Sequence, residues 1–158
     1  MSRLLRPFIV SSLKKASTDM PAYHKFIKMN KASEKVTGEF PKYTLDYSKL
    51  TVSKGKLPTI ETGEITCDGL NMAVTWKSKP NQKASDSSNT AVVLLINETV
   101  RSFKSYFENV KRSAEKVDIV IPGNWSGQTV HVYLQFKKVE KKVFSDSSYI
   151  GNVIINRT

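Results

Sequence analysis

The chain has 158 residues, of which 39% are hydrophobic and 25% are charged, so it has room for one domain and an extension but not for two full domains. Its 25 Lys and Arg residues against 14 Asp and Glu residues give a net charge of +11. Such a charge fits a partner that is nucleic acid, an anionic membrane or an acidic protein, unless the lysines form an ordinary soluble face.

Cysteine content and hydropathy narrow the class of protein further. Cys67 is the single cysteine, which excludes an intrachain disulfide and a cysteine-based metal site. The apolar run at residues 7–10 is too short for the core of a signal peptide, and no stretch reaches the ~18 apolar residues of a membrane-spanning helix. We therefore expect a protein of the cytoplasm, or of a particle assembled there.

The N-terminal segment predicts two short helices. In residues 2–15 the apolar positions recur every three or four residues and so share one helical face: Leu4, Leu5, Phe8, Ile9 and Leu13. A second helix begins near Asp19, which can cap it, and Pro21, which suits the first turn. Its stripe consists of Tyr23, Phe26, Ile27 and Asn30. Helices this short are marginal alone, so both need a surface to pack on.

This segment also carries a large share of the positive charge. Residues 1–36 contain eight cations and two acids, a net charge of +6. The cations are candidate contacts to nucleic acid or to another anionic partner: Arg3, Arg6, Lys14, Lys15, Lys25, Lys28, Lys31 and Lys35. We interpret residues 1–37 as a basic, helical arm and residues 38–158 as the domain that follows it.

From residue 38 onward, aromatic and β-branched residues increase and turn residues recur, which predicts many short strands. The candidate strands are residues 47–52, 64–67, 71–76, 91–96, 117–121, 130–136 and 149–155. Residues 97–116 are ambiguous, because their apolar residues fit a helix, whereas Asn97-Glu98 fits a hairpin turn that leads into a strand over 100–107. We favour the strand. Residues 77–89 are polar and predict an exposed loop.

Alternation assigns a core face to two of these strands. In the first, Met72, Val74 and Trp76 point to the core. In the second, four residues share the core face: Val130, Val132, Leu134 and Phe136. The outward face of that strand consists of His131, Tyr133, Gln135 and Lys137. Several short strands with regular turn signals predict a sandwich or a barrel.

Three stretches carry a resemblance to a known family. They are YSKLTVSKG at residues 47–55, IPGNWSGQTVHVY at residues 121–133 and FSDSSYIG at residues 144–151. Together they resemble a family of uncharacterised proteins from Bacteroidota bacteria, over residues 1–155. That family is a domain of unknown function, so the resemblance implies relatives without implying a task.

The order of elements is also similar to that of a fibronectin type III domain. Val74-Thr75-Trp76 stands where that fold buries a tryptophan on its second strand, and residues 130–136 resemble its sixth strand. One departure is Val130, where such domains usually have tyrosine. The resemblance implies a mainly β, immunoglobulin-like or fibronectin III-like sandwich of about seven strands, preceded by the basic helical segment. It also pairs residues 100–107 with residues 91–96.

The sequence offers no set of residues for catalysis. His24 and His131 are the only histidines, the acids are spread singly, and neither a glycine-rich phosphate loop nor a metal-ligand spacing occurs. We predict no catalytic residue, no cofactor, no metal and no small-molecule substrate.

Candidate protein contacts come from the arm and from aromatic residues of the domain. Trp125 is either a corner aromatic that closes one end of the sandwich or an exposed anchor for a partner. His131 and Tyr133 belong to the outward face, and Tyr149 has the same ambiguity as Trp125. The full set is Leu5, Phe8, Ile9, Trp125, His131, Tyr133 and Tyr149.

These observations favour a non-catalytic structural or binding module that acts through self-association or by docking on a larger protein assembly, such as a phage-type or cell-envelope particle. The alternative is a nucleic-acid-associated coat or packaging protein that uses the basic arm. A weaker hypothesis is recognition of carbohydrate or peptide by the loops around Trp125 and residues 77–89, and an enzyme ranks last.

Overall fold

The computed structural model describes residues 22–30, 36–37, 44–80, 82–140 and 143–156. One helix, α1, spans Ala22–Asn30. The strands are β1 (Val36–Thr37), β2 (Thr44–Leu45), β3 (Ile60–Asp68), β4 (Asn71–Ser78), β5 (Thr90–Asn97), β6 (Ser102–Tyr106), β7 (Lys116–Val120), β8 (Thr129–Lys137) and β9 (Ser148–Ile154). No helix in these ranges is long and apolar enough to cross a membrane.

Strands β3 to β9 form two antiparallel sheets. The first has three strands in the order β3-β4-β7, and the second has four in the order β6-β5-β8-β9. Strands β1 and β2 form a separate two-stranded pair. The predicted mainly β sandwich is therefore confirmed.

The core lies between the two sheets. Met72, Val74 and Trp76 of β4 meet the inward side chains of β5 and β8, and the exposed fraction of each is 3% or less. The four β8 residues assigned to the core by the two-residue period are also buried there. Both alternating patterns therefore assigned the inner faces correctly.

A second apolar cluster lies on the other side of the four-stranded sheet. Val92, Leu94 and Ile96 of β5 point away from the sandwich core and are covered by Phe26 of α1, among other residues. Every residue from Ala91 to Asn97 is consequently buried. The molecule thus has three layers, namely the three-stranded sheet, the four-stranded sheet and a covering layer.

The covering layer consists of α1 and of a segment that we call the strap, residues 46–57. The prediction of a strand over residues 47–52 is wrong, because Tyr47–Lys49 form a 3-10 turn and the next residues are not paired within a sheet. The strap's backbone bonds instead to the loop before β9: Val52 N donates to Ser147 Oγ over 3.1 Å, and Ser147 N donates to Ser53 O over 3.1 Å.

The remaining predicted elements have mixed outcomes. The strand favoured over residues 100–107 is confirmed as β6, which pairs with β5 from Val93↔Tyr106 to Asn97↔Ser102. The second predicted helix is confirmed as α1, whereas the first, over residues 2–15, lies outside the described residues. Since α1 packs on the sandwich, residues from the predicted arm contribute to the body of the molecule. The boundary at residue 37 stays a prediction.

Candidate functional site

The candidate site is a cluster of aromatic and polar side chains between the strap and the four-stranded sheet. It begins with a bulge between β8 and β9, where the pairing shifts from Val132↔Gly151 to Tyr133↔Tyr149. The extra residue, Ile150, packs against the sandwich core. Tyr149 consequently lies on the outer face beside Tyr133, since a bulge changes the face to which the following side chains point.

His131 is the centre of the cluster. Its Nε2 lies 2.5 Å from Glu98 Oε2, and its Nδ1 lies 2.9 Å from Tyr149 Oη. Its ring stacks on Tyr47 of the strap, with centroids 4.0 Å apart and an interplanar angle of 12°. An ionised carboxylate can only accept, so Nε2 carries the proton, and Nδ1 of a neutral ring then accepts from the Tyr149 hydroxyl.

The neighbouring Tyr133 binds the strap directly. The Tyr133 hydroxyl donates to the Tyr47 carbonyl oxygen over 2.6 Å. Burial, with smaller effects from Tyr149, Tyr47 and Asp46, raises the pKa of Tyr133 above its ordinary value. Burial also raises the pKa of Tyr47, and the nearby Glu98 charge adds to the rise. Both hydroxyl groups therefore stay protonated at neutral pH.

Asn30 joins α1 to the strap. Its Oδ1 accepts from the Thr51 amide over 2.8 Å, and its Nδ2 donates to the Thr51 carbonyl oxygen over 2.9 Å. The same Nδ2 also donates to the Phe26 carbonyl oxygen over 3.0 Å, within the helix. One side chain thereby satisfies both backbone groups of Thr51, as a neighbouring strand would do.

The strap is held at its other end by the loop that precedes β9. Lys54 Nζ lies 2.6 Å from Asp146 Oδ2, and the Gly55 amide donates to Asp146 Oδ1 over 3.0 Å. The Ser53 hydroxyl donates to the Ser145 carbonyl oxygen over 2.9 Å, and both serines are fully buried. A Cβ at Gly55 would lie 1.7 Å from the Phe144 carbonyl oxygen, so this close approach requires glycine.

Two of the three stretches that carried the family resemblance therefore touch each other. YSKLTVSKG provides the strap from Tyr47 to Gly55, and FSDSSYIG provides Asp146, which holds the strap, and Tyr149, which bonds to His131. The third stretch contributes His131 and Tyr133 from β8. The motifs thus share one structural task, which is to fasten the covering layer to the sheet.

The cluster also places a carboxylate, an imidazole and a hydroxyl group in line, which is the order found in acid–base relays. However, His131 is 6% exposed and lies under the Tyr47 ring. The two cavities described on this molecule are lined by the three-stranded sheet and its rim, and neither includes Glu98, His131 or Tyr149. No set of three or more His, Cys, Asp or Glu side chains in the described ranges could hold a metal ion.

The structure brings together three of the predicted contact residues, His131, Tyr133 and Tyr149. The prediction that His131 and Tyr133 lie on an open sheet face is wrong, because α1 and the strap cover that face. Trp125 is 4% exposed and packs in the core, so the corner interpretation is confirmed and the exposed anchor is not.

The arm residues can be placed only in part. Lys28 is exposed on α1, and α1 also includes Lys25, whose side chain lies outside the described part of the chain. The other predicted arm contacts lie outside the described residues: Arg3, Arg6, Lys14, Lys15, Lys31, Lys35, Leu5, Phe8 and Ile9. Their part in binding stays a prediction.

Arg112 is the main residue that the sequence analysis missed. It is 1% exposed, its guanidinium carbon lies 3.6 Å from the centroid of the Phe136 ring, and its Nη groups donate to the carbonyl oxygens of Pro58 and Thr59. Burial lowers its pKa to about 10, against the opposing charge of Asp86. Its carbonyl oxygen accepts from Trp76 Nε1 over 3.0 Å. No periodic pattern marks a buried arginine in a loop.

The comparison with known families agrees with these motifs. The model of a family of unknown function, DUF6266, matches residues 3–151. The chain belongs to this family. The DUF6266 match includes α1, the strap and the loop that precedes β9, so the predicted membership of an uncharacterised family is confirmed. A search of curated proteins gave no match. The DUF6266 family assigns no residue roles, so function has to be argued from the surfaces of the molecule.

Proposed function

We propose that this DUF6266 chain is a non-catalytic assembly module that binds a second copy of itself, and through such contacts forms part of a larger particle of phage type or of the cell envelope. The observation that carries the proposal is that the outer faces of the two sheets are not covered to the same extent. Contacts within the chain cover the outer face of the four-stranded sheet, whereas the outer face of the three-stranded sheet exposes side chains such as Val120.

The finer fold assignment belongs to the same proposal. We take the sandwich as fibronectin III-like, because its three-plus-four strand order and the buried Trp76 on the second strand of the sandwich support that comparison. The same proposal takes the relatives to come from Bacteroidota bacteria, which the resemblance of the motifs supports. Domains of this architecture present loops and sheet faces to other proteins, which agrees with a binding role.

The measurement that tests self-association is the mass of the full chain in solution. Light scattering over a range of concentrations should give a weight-average mass above the 17.8 kDa of the monomer, and a lower mass at high salt. A mass of 17.8 kDa at every concentration and salt tested would contradict the proposal.

A second candidate is a nucleic-acid coat or packaging role for the basic N-terminal segment. Its support is the orientation of α1, which buries Phe26 and exposes the cationic side chain of Lys28. Fluorescence anisotropy with duplex DNA at rising salt tests it. Phosphate contacts should give a log–log slope of about −0.9 per contact, and no binding at low salt would exclude this role.

A further inference from the structure

The outer face of the three-stranded sheet, which we call the open face, has the shape of a shallow groove. Its middle row consists of Thr66, Ala73 and Asp118, which lie side by side on β3, β4 and β7. Because the central residue is an alanine, the floor is low, and a cavity of about 320 Å³ lies along these strands. Val120 lines it and is 62% exposed, so the groove offers both apolar and acidic contacts.

The open face has the opposite charge to the rest of the molecule. Four exposed carboxylates lie on it or at its rim: Glu64, Asp68, Glu115 and Asp118. Two ammonium groups lie among them, Lys77 and Lys116, and Lys116 Nζ is 3.1 Å from Asp118 Oδ1. The balance is four acids against two cations, a net −2, on a chain of net charge +11. A surface of this kind attracts a cationic partner.

The chain itself contains a segment with the complementary pattern. Residues 1–21 have four cations and one acid, a net charge of +3. The stripe predicted from Leu4 to Leu13 would place apolar side chains on one side of a helix, with Arg3 and Arg6 on the other. Such a helix matches a groove that combines Val120 with Asp68 and Asp118 at its sides.

The position of α1 favours a neighbouring copy as the source of the segment. Ala22 begins α1 on the outer side of the four-stranded sheet, which is the side opposite the open face. A segment that precedes Ala22 in the same chain has to pass around the edge of the sandwich to reach the open face, whereas the segment of a neighbour can approach that face directly.

We propose that the open face binds residues 1–21 of a second copy of this chain. The inference rests on the proposed self-association and names its interface. Each copy offers one basic segment and one open face, so copies join head to tail or exchange segments in a mutual pair. The contact is electrostatic at its rim and apolar at its centre, and it therefore weakens as salt rises.

The test exchanges charges between the two surfaces of the full chain. One variant carries Asp68→Lys and Asp118→Lys on the open face, and the other carries Arg3→Glu and Arg6→Glu. In each variant alone, the N-terminal segment and the open face carry charges of the same sign. The dissociation constant for its self-association should therefore rise at least about tenfold. An equal mixture should associate again, because each reversed segment then meets an open face of opposite charge.

The matched control reverses two exposed acids elsewhere, Glu108→Lys and Glu140→Lys, and should associate as the wild type does. Circular dichroism checks that each variant folds. If the wild type associates and the open-face variant associates equally well, this interface is wrong while the proposed function stands. If the wild type is monomeric throughout, both fail.

A carbodiimide cross-link provides the second readout. It should join Lys14 or Lys15 to an acid of the open face, and in a mixture of isotopically light and heavy chains about half of such links should connect a light chain to a heavy one. Links confined to single copies would show docking within one chain and overturn the proposal.

Discussion

The two sheets of this molecule differ in what lies on their outer faces. On the four-stranded sheet, β5 and β8 are buried on both sides, because α1 and the strap pack against them. On the three-stranded sheet, burial alternates along β4 and β7, and the outer residues are polar or charged with the exception of Ala73 and Val120. Within the described residues, one sheet of the sandwich is thus covered by other parts of the chain, and the other sheet has an exposed outer face.

This difference also predicts unequal contributions of the two outer faces to the stability of the fold. Side chains of the covering layer displace water from an apolar surface, at about 25 cal/mol per Å², and should contribute strongly to the free energy of unfolding. Side chains of the open face lose little water on folding, so their substitution should leave the fold almost unchanged. The following variants are ordered from the largest expected effect to the smallest.

The largest effect is expected from Phe26→Ala, because Phe26 is 4% exposed and fills the space between α1 and β5. Its loss should lower the free energy of unfolding by about 3 kcal/mol. Val120→Ala on the open face is the matched control and should cost less than about 0.5 kcal/mol. Urea denaturation followed by circular dichroism measures both. Similar losses of unfolding free energy in the two variants would contradict the inference that the covered face contributes more to stability than the open face.

The next effect is expected from Gly55→Ala, which places a methyl group against the backbone of Phe144. The strap has to move away from the loop that precedes β9. This should lower the free energy of unfolding by about 2 kcal/mol and Tm by about 6 °C. Gly123→Ala is the control, since a Cβ there would meet only Leu70 Cδ1 at 3.6 Å. An unchanged Tm for Gly55→Ala would mean that the strap is not held as described.

A smaller effect is expected from Asn30→Ala, which removes both partners of the Thr51 backbone. The loss should be about 1–2 kcal/mol, since the contact is only partly buried. Hydrogen exchange should become faster at the Thr51 amide and stay unchanged in β4. The control is Asn152→Ala, whose side chain makes one long bond of 3.4 Å to Tyr149. Equal protection of Thr51 in wild type and variant would argue against this link.

The smallest effect at neutral pH comes from the buried tyrosines, and it grows with pH. Burial raises the pKa of Tyr133 above 10.0 and raises the pKa of Tyr106 to about 12. A raised pKa means that folding favours the neutral hydroxyl, so this stability is complete below pH 10 and is lost as pH rises beyond it. Tyr133→Phe should flatten the fall of the unfolding free energy between about pH 9 and pH 11. A fall of the same slope in the variant would show that Tyr133 does not contribute.

Much of the fold could be predicted from the sequence because strands with one buried face alternate. The strands β4 and β8 were assigned the correct inner residues, and β6 was preferred to a helix because the order of elements is similar to that of a fibronectin type III domain. The strap was mistaken for a strand, because Leu50 and Val52 alternate there with the polar Thr51 and Ser53, as they would in a strand. Its backbone partners are side chains distant in the sequence, which a local pattern does not reveal.

The sequence identified some residues of the candidate site but not the residues that they contact. His131, Tyr133 and Tyr149 were selected, yet Tyr47, Glu98 and Asn30 were not identified as their partners. One signal was available: residues 91–96 are apolar without interruption, which is typical of a strand buried on both faces. That run indicates that something covers the outer face of β5, although it does not say what.

The amino-acid sequence alone determined the class of fold, the inner faces of two strands, the helix α1 and the strong excess of cations near the N-terminus. These features depend on local periodicity and on composition, which a sequence contains directly. Only the tertiary structure decided that α1 and the strap close one sheet and leave the other open. That outcome depends on contacts between residues about 20 to 95 positions apart, such as those of Asn30 with Thr51 and of Ser147 with Val52. Such contacts form only after the chain has folded back on itself.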